Sequence, residues 1–281
     1  MISEPSRGEY GIRLDPTVLH RTRGAIHPHY ARRLAMLLTA LLSMTAYADS
    51  SDLPRGFVYL RDVAPDIVQD IRYAGSDNFT GEKVPGYDAA ECILKQAVAE
   101  ALRRAQQELR HQSLGLKVYD CYRPARATKL FLKWIDAKPS SGSINRHHPR
   151  IHRRSLHILG YISASSTHSR GVAVDATLVK IPVPHQREFD PAAMYGECTA
   201  AADNRSPDNS VDMGTGFDCF DVMSHADFRL SPVQATSRWI LHDVMKRHGF
   251  ENYRREWWHF TFTAEPTRGP PLDFVIKQRR Q

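Results

Sequence analysis

The segment Ser166-Thr167-His168-Ser169-Arg170-Gly171-Val172-Ala173-Val174-Asp175 places an imidazole at the mouth of an apolar strand and a carboxylate inside it. Side chains alternate along a strand, so Asp175 shares a face with Ala173 while Val172 and Val174 take the other. A carboxylate on so apolar a strand needs a partner, because burying it alone is costly. A metal ion is one such partner. Glu256-Trp257-Trp258-His259-Phe260-Thr261-Phe262 follows the same alternation, with His259 and Thr261 on one side and Trp258, Phe260 and Phe262 toward a core. On neighbouring strands, His168, Asp175 and His259 supply three N/O ligands and leave the fourth tetrahedral position of a zinc ion to water. The pKa of such a water falls toward about 7. Glu256 stands where it can take that proton and pass it to a leaving amine.

The same residues have plainer readings. A histidine beside a strand is commonly a hydrogen-bonded core or surface residue, and Asp175 alone can be a satisfied structural carboxylate. Trp257 and Trp258 read as packing residues, and His147, His148, His152 and His157 as solvated loop residues. Spacing alone leaves these alternatives open.

The elements that must position the candidates follow from periodicity. Phe57–Leu60 reads as a short strand, and Ala74–Tyr87 is rich in turn residues. Ile93–Leu109 carries Leu94, Val98, Ala101, Leu102, Ala105 and Leu109 at helical spacing, which predicts a surface helix with one buried face. Leu116–Asp120 alternates as a strand, Ala125–Ile135 returns to helical periodicity, and Val172–Leu178 is a second strand. Ala137–Ser155 and Pro182–Ser210 read as loop. Ser231–His248 is helical, with Ser231 as cap, Pro232 as first helical residue and Gly249 as stop. Trp258–Phe262 closes the pattern as a strand. The order lacks a regular βαβ rhythm, which predicts an α+β domain with helices packed on a small, largely antiparallel sheet.

Near the start, Arg32 and Arg33 precede an uncharged apolar run from Leu34 to Thr45, followed by Ala46-Tyr47-Ala48 and then polar residues. This is the layout of a secretory signal, with cleavage expected after Ala48. The run is about 12 residues, short of the roughly 20 that span a bilayer. Residues 1–48 are therefore read as an N-terminal extension plus signal peptide and 49–281 as one domain, periplasmic or secreted. The domain is cytoplasmic if the signal does not function. Export would let Cys198 and Cys219 pair, although spacing does not determine connectivity.

With 281 residues, 42% of them hydrophobic and 25% charged, the chain can bury a substantial core and is not a disordered chain. Its 38 Lys and Arg exceed its 31 Asp and Glu by 7, but no basic stripe points to nucleic acid. Four isolated cysteines exclude a cysteine-rich scaffold and a cluster-bearing redox protein. No candidate for stable membrane insertion remains once the signal is removed.

The pattern Ser-x-His-x-x-Gly-x-Ala-x-Asp, followed far downstream by Glu-x-Trp-His, resembles the zinc D-alanyl-D-alanine dipeptidase family. Asp70-Ile71-Arg72-Tyr73-Ala74, Asn78-Phe79-Thr80-Gly81, Tyr119-Asp120-Cys121-Tyr122-Arg123-Pro124 and Met213-Gly214-Thr215-Gly216-Phe217-Asp218 extend the likeness over residues 53–276. The resemblance implies one zinc ion per chain held by His168, Asp175 and His259, with Glu256 as general base. It further implies Arg123 as the group that holds the substrate carbonyl and developing oxyanion, and Ser166 and Asp218 as the receivers of the free amino terminus. From sequence alone, Arg123 reads first as a surface salt-bridge residue and Asp218 as a loop cap; the resemblance overturns both readings. The implied substrate is a small D,D-dipeptide. A related D,D-carboxypeptidase or peptidoglycan endopeptidase, and a noncatalytic zinc-binding module, are the alternatives; oligomeric state has no signature in the sequence.

Overall fold

A computed structural model describes residues 53–138 and 146–280. The expected signal segment and its cleavage point, and part of the expected loop after Ala137, lie outside the described residues. Seven strands and four α-helices are described, namely β1 (Phe57–Tyr59), α1 (Leu60–Val63), β2 (Val68–Gln69), β3 (Ile93–Lys95), α2 (Gln96–Arg110), β4 (Leu114–Asp120), α3 (Ala125–Asp136), β5 (Ala173–Lys180), α4 (Pro232–Arg247), β6 (Phe250–Asn252) and β7 (His259–Phe262).

The main sheet has five strands in the order β2-β4-β5-β7-β6, antiparallel throughout except for β2 beside β4. The α+β expectation holds. In the register, Val118 faces Ala176 and Val174 faces Phe260, while Lys117 faces Thr177, Asp175 faces His259 and Ala173 faces Thr261. One face is therefore apolar and the other carries the polar side chains, as period-two alternation requires. Leu116, Val118, Val174, Ala176, Leu178, Phe260 and Phe262 share a buried cluster with Val98, Leu102, Ala105 and Leu109 of α2 and Leu241, Val244 and Met245 of α4. The site lies on the opposite face, under long connections.

The expected helix from Ile93 begins later. Ile93–Lys95 is β3, paired antiparallel with β1 in a two-stranded sheet, and the helix starts at Gln96. The reason is tertiary: the apolar Phe57–Tyr59 strand offers a ladder to a segment whose β-branched first residue suits one. In α4 the local chemistry decides, with the Ser231 hydroxyl accepting from the Gln234 N–H and the Gln234 side chain accepting from the Ser231 N–H, a reciprocal capping box before Pro232.

All four cysteines are paired. Cys198–Cys219 joins the long 182–230 connection to itself, and Cys92–Cys121 ties the approach to β3 to the end of β4, a bridge that spacing did not suggest. The C-terminal segment straps across the fold: Leu272 donates its N–H to the Ser169 carbonyl and accepts from the Ala125 N–H, and the Phe274 ring stacks on Tyr122 at 3.9 Å. Among the described residues, no helix is long and apolar enough to cross a membrane.

Candidate active site

His168 sits on a single 3-10 turn, Thr167–Arg170, whose cap is the Ser166 hydroxyl accepting the His168 N–H. Gly171 ends the turn at φ +69°, and a Cβ there would lie 2.3 Å from the Phe57 ring, so both conformation and space require glycine. The chain then enters β5 with Asp175 on the polar face. The segment after β4 locks this turn from the other side. The His168 ring Nδ1 lies 2.7 Å from the Cys121 carbonyl, and the Arg123 N–H donates to the His168 carbonyl. A ring nitrogen against a carbonyl must carry the proton, so Nε2 presents its lone pair to the site.

Three donor atoms converge there. His168 Nε2 is 3.2 Å from Asp175 Oδ1 and 3.0 Å from His259 Nδ1, and His259 Nδ1 is 3.1 Å from Asp175 Oδ1. Ligands about 2.0–2.1 Å from a tetrahedral ion stand roughly 3.3 Å from one another, so the triangle fits a small divalent metal. Burial works against charge on Asp175, but His168 and then His259 hold its carboxyl well below the usual carboxylate range. An ionised oxygen and two imidazoles, one of which has its acceptor nitrogen fixed by the Cys121 carbonyl, form a donor set suited to such an ion.

Glu256 follows a turn pinned by Asn252, whose amide donates to the carbonyls of Glu256, Trp257 and His259. Its carboxylate Oε2 is 3.9 Å from His259 Nδ1. Burial, then the charges of Asp175 and Asp218, push the Glu256 carboxyl well above the usual range, and Arg123 opposes them. A cation bound by the three ligands acts in the same direction as Arg123.

Arg123 is no surface residue: its side chain is 14% exposed. Its Nε donates to Asp120 Oδ2 at 2.8 Å and its Nη2 reaches Asp175 Oδ2 at 3.5 Å, while the guanidinium lies over the Tyr73 and Phe131 rings. A register shift between Val118 and Asp120 sets Asp120 opposite Asp175, so the arginine bridges two neighbouring carboxylates. The Tyr87 hydroxyl donates to the other Asp120 oxygen.

Asp218 is buried at φ +54° and accepts a hydrogen bond from the Tyr73 hydroxyl at 2.8 Å. Burial and the Asp175 charge push its carboxyl well above the usual range. Ser166, His168, Arg123, Asp175, Asp218, Glu256 and His259 all line one cavity of about 490 Å³, a volume typical of small-ligand sites. Every expected site residue is thus brought together. Asp120, Tyr73 and Asn252 carried no assigned role in the sequence: Tyr73 meets Asp218 from 145 residues away, Asn252 meets backbone carbonyls, and Asp120, although only three residues before Arg123, also takes the Tyr87 hydroxyl from 33 residues away.

Two of the four loop histidines expected in solvent are not. His148 is buried, its Nδ1 2.9 Å from the Ile151 carbonyl, and the His147 ring Nδ1 is 3.1 Å from the Asp218 carbonyl. The His147 partner is 71 residues away, whereas the His148 partner is three residues on within the same turn. Trp257 and Trp258 are buried as expected, with the Trp257 indole donating to Thr215 Oγ1.

A family model described as D-ala-D-ala dipeptidase matches residues 54–190 and 199–277. The chain belongs to the D-Ala-D-Ala dipeptidase family. It is 35% identical over 221 residues to a D-alanyl-D-alanine dipeptidase of Streptomyces coelicolor, covering 78% of this chain and 98% of that one. It is 32% identical over 223 residues to one of Enterococcus faecium, covering 79% and 98%, and 27% identical over 204 residues to one of Escherichia coli, covering 72% and 82%. With the family established and the ligand triangle in place, the chain is a metallopeptidase.

Proposed function

We propose that this enzyme hydrolyses D-alanyl-D-alanine to two D-alanines with one zinc ion held by His168, Asp175 and His259. The observation that carries the reading is the placement of a buried carboxyl, Asp218, in the same cavity as the ligand triangle, in a chain whose relatives are named for this dipeptide. Zinc when bound supplies a Lewis acid that polarises the scissile carbonyl and acidifies water.

The chain's own groups do the rest. Asp218 pairs with the substrate ammonium, with Ser166 lining the same cavity; the incoming cation offsets the burial that otherwise favours the neutral acid. A blocked amino terminus brings no such charge and leaves a buried carboxyl without its partner, which is how a dipeptide is selected. Arg123, anchored through Nε by Asp120, directs its remaining donors at the oxygen where negative charge develops. Glu256 takes the proton from the attacking water and hands it to the departing nitrogen, a role matched to a carboxyl poised above its ordinary range.

The same reading places the enzyme outside the cytoplasm, cleaved after Ala48 and recovering D-alanine from cell-wall dipeptide. Two disulfides among the described residues support an oxidising compartment. N-terminal sequencing of the protein recovered from the periplasm or medium tests this, with Asp49 expected as first residue. The reaction is tested by D-alanine release from D-Ala-D-Ala by the zinc-loaded protein, beside amino-acetylated and longer D,D-peptides. Release from the free dipeptide alone is expected. Cleavage confined to blocked or longer peptides would make the enzyme a D,D-carboxypeptidase or endopeptidase.

A further inference from the structure

Asp218 occupies a backbone conformation that is uncommon outside glycine, although Asp tolerates it better than most residues. Its φ of +54° lies in the left-handed region, and its carboxylate is buried. Such a backbone persists when its surroundings over-determine it. The constraints around residues 216–220 come from two places. On one side, Phe220 donates its N–H to the His147 carbonyl and the His147 ring bonds the Asp218 carbonyl. On the other, the Gly216 N–H donates to the Cys198 carbonyl at 2.8 Å, the Cys198 N–H donates to Arg146, and the disulfide joins Cys198 to Cys219, the residue after Asp218. Cys219 is fully buried and its carbonyl accepts from the Ser224 hydroxyl.

The origin of the second clamp is informative. The two matched stretches of the family model leave out residues 191–198, and the excluded stretch ends at Cys198. Cys198, one half of the covalent anchor of the Asp218 turn, thus lies at the edge of the unmatched stretch, while Cys219 lies within the matched one.

We propose that the Cys198–Cys219 disulfide is a positioning element for Asp218, so that capture of the substrate amino group depends on this bond while the chemical step does not. The inference rests on the reading of Asp218 as the receiver of that amino group. Cys198 lines a second cavity whose wall includes none of His168, Asp175, His259, Glu256 or Arg123, so loss of the bond is expected to leave those groups in place. Without the bond, the turn samples conformers in which the carboxylate is withdrawn, and apparent affinity falls in proportion to the competent fraction.

The test is the Cys198→Ser/Cys219→Ser protein, compared with wild type for bound zinc, kcat and KM on D-Ala-D-Ala, and relative activity on N-acetyl-D-Ala-D-Ala. The expected result is zinc retained, kcat within about threefold, KM raised about tenfold or more, and weaker discrimination against the blocked peptide. A disulfide that only stabilises the fold lowers the melting temperature and moves neither KM nor discrimination, and that result overturns the proposal. Amide exchange across residues 216–220 is read in parallel and needs no substrate; exchange as slow as in wild type also overturns it. Should the double variant not fold, the same comparisons are made on folded wild-type enzyme reduced with a phosphine, where water supplies the phosphine-oxide oxygen and the two thiol protons. Mass spectrometry after alkylation identifies the opened bridge. Failure of the dipeptide reading shows separately, as no D-alanine released by the wild-type enzyme itself.

Discussion

Asp175 and His259 stand directly opposite each other across the β5–β7 ladder, with Oδ1 and Nδ1 3.1 Å apart. Antiparallel register makes them neighbours on the polar face, and the 3-10 turn before β5 swings His168 into the same space. Two members of the candidate metal triangle are therefore as rigid as the sheet, and the third is held by a backbone carbonyl. Replacing Asp175 or His259 with Ala is expected to abolish stoichiometric zinc binding and activity together. Metal analysis after dialysis checks this, and the same analysis on chelator-treated wild type should show activity returning with added zinc.

Glu256 reaches the ligands without belonging to them. In Glu256→Gln the side chain keeps its size and loses its proton-accepting oxygen, so kcat is expected to fall by about 10²–10⁴-fold. Zinc content and melting temperature should stay near wild type. Loss of zinc in this variant would assign Glu256 to the metal instead of the proton.

Asp120 orients Arg123 through a 2.8 Å hydrogen bond while itself fully buried. Asp120→Ala leaves a buried guanidinium facing only the more distant Asp175, and removal of one member of a buried pair costs about 3–5 kcal/mol. Denaturant unfolding should register that loss. Arg123→Lys keeps the charge but not the planar fork, so it is expected to lower kcat/KM without recovering wild-type activity at any pH.

His147 links stability to pH. Burial and the nearby Arg146 push its imidazole down to about 3, with the Asp218 carbonyl opposing. In the unfolded chain it titrates near 6.5. Between about pH 6.5 and pH 3 the unfolded state therefore holds a proton that the folded state lacks, and stability falls as pH falls through that window, by at most about 1.4 kcal/mol per pH unit from this group. Above the window the group contributes no slope. His147→Asn should flatten this part of the acid limb in denaturation measured from pH 7 to pH 4; an unchanged slope would show that the ring is protonated in the folded protein.

Local patterns carried a great deal. Ser231-Pro232 and Gly249 delimit α4 because capping chemistry involves only near neighbours. Alternation in Glu256–Phe262 assigns His259 and Thr261 to one face because strand geometry leaves no other choice. Motif likeness implied one site for His168, Asp175, His259, Arg123, Glu256, Ser166 and Asp218, and all seven line one cavity. What periodicity could not express is long-range: the register shift that sets Asp120 against Asp175, the Cys121 carbonyl that chooses the His168 tautomer, and the Tyr73 hydroxyl on Asp218 from 145 residues away. Ile93–Lys95 became a strand, the loop histidine 147 acquired the Asp218 carbonyl as partner, and Cys92 found Cys121, all for one reason. A residue's own neighbours in the chain determine its local conformation and face, whereas buried polar and covalent partners are decided only when packing brings distant backbone and side-chain groups within bonding distance and removes the water that would otherwise satisfy them.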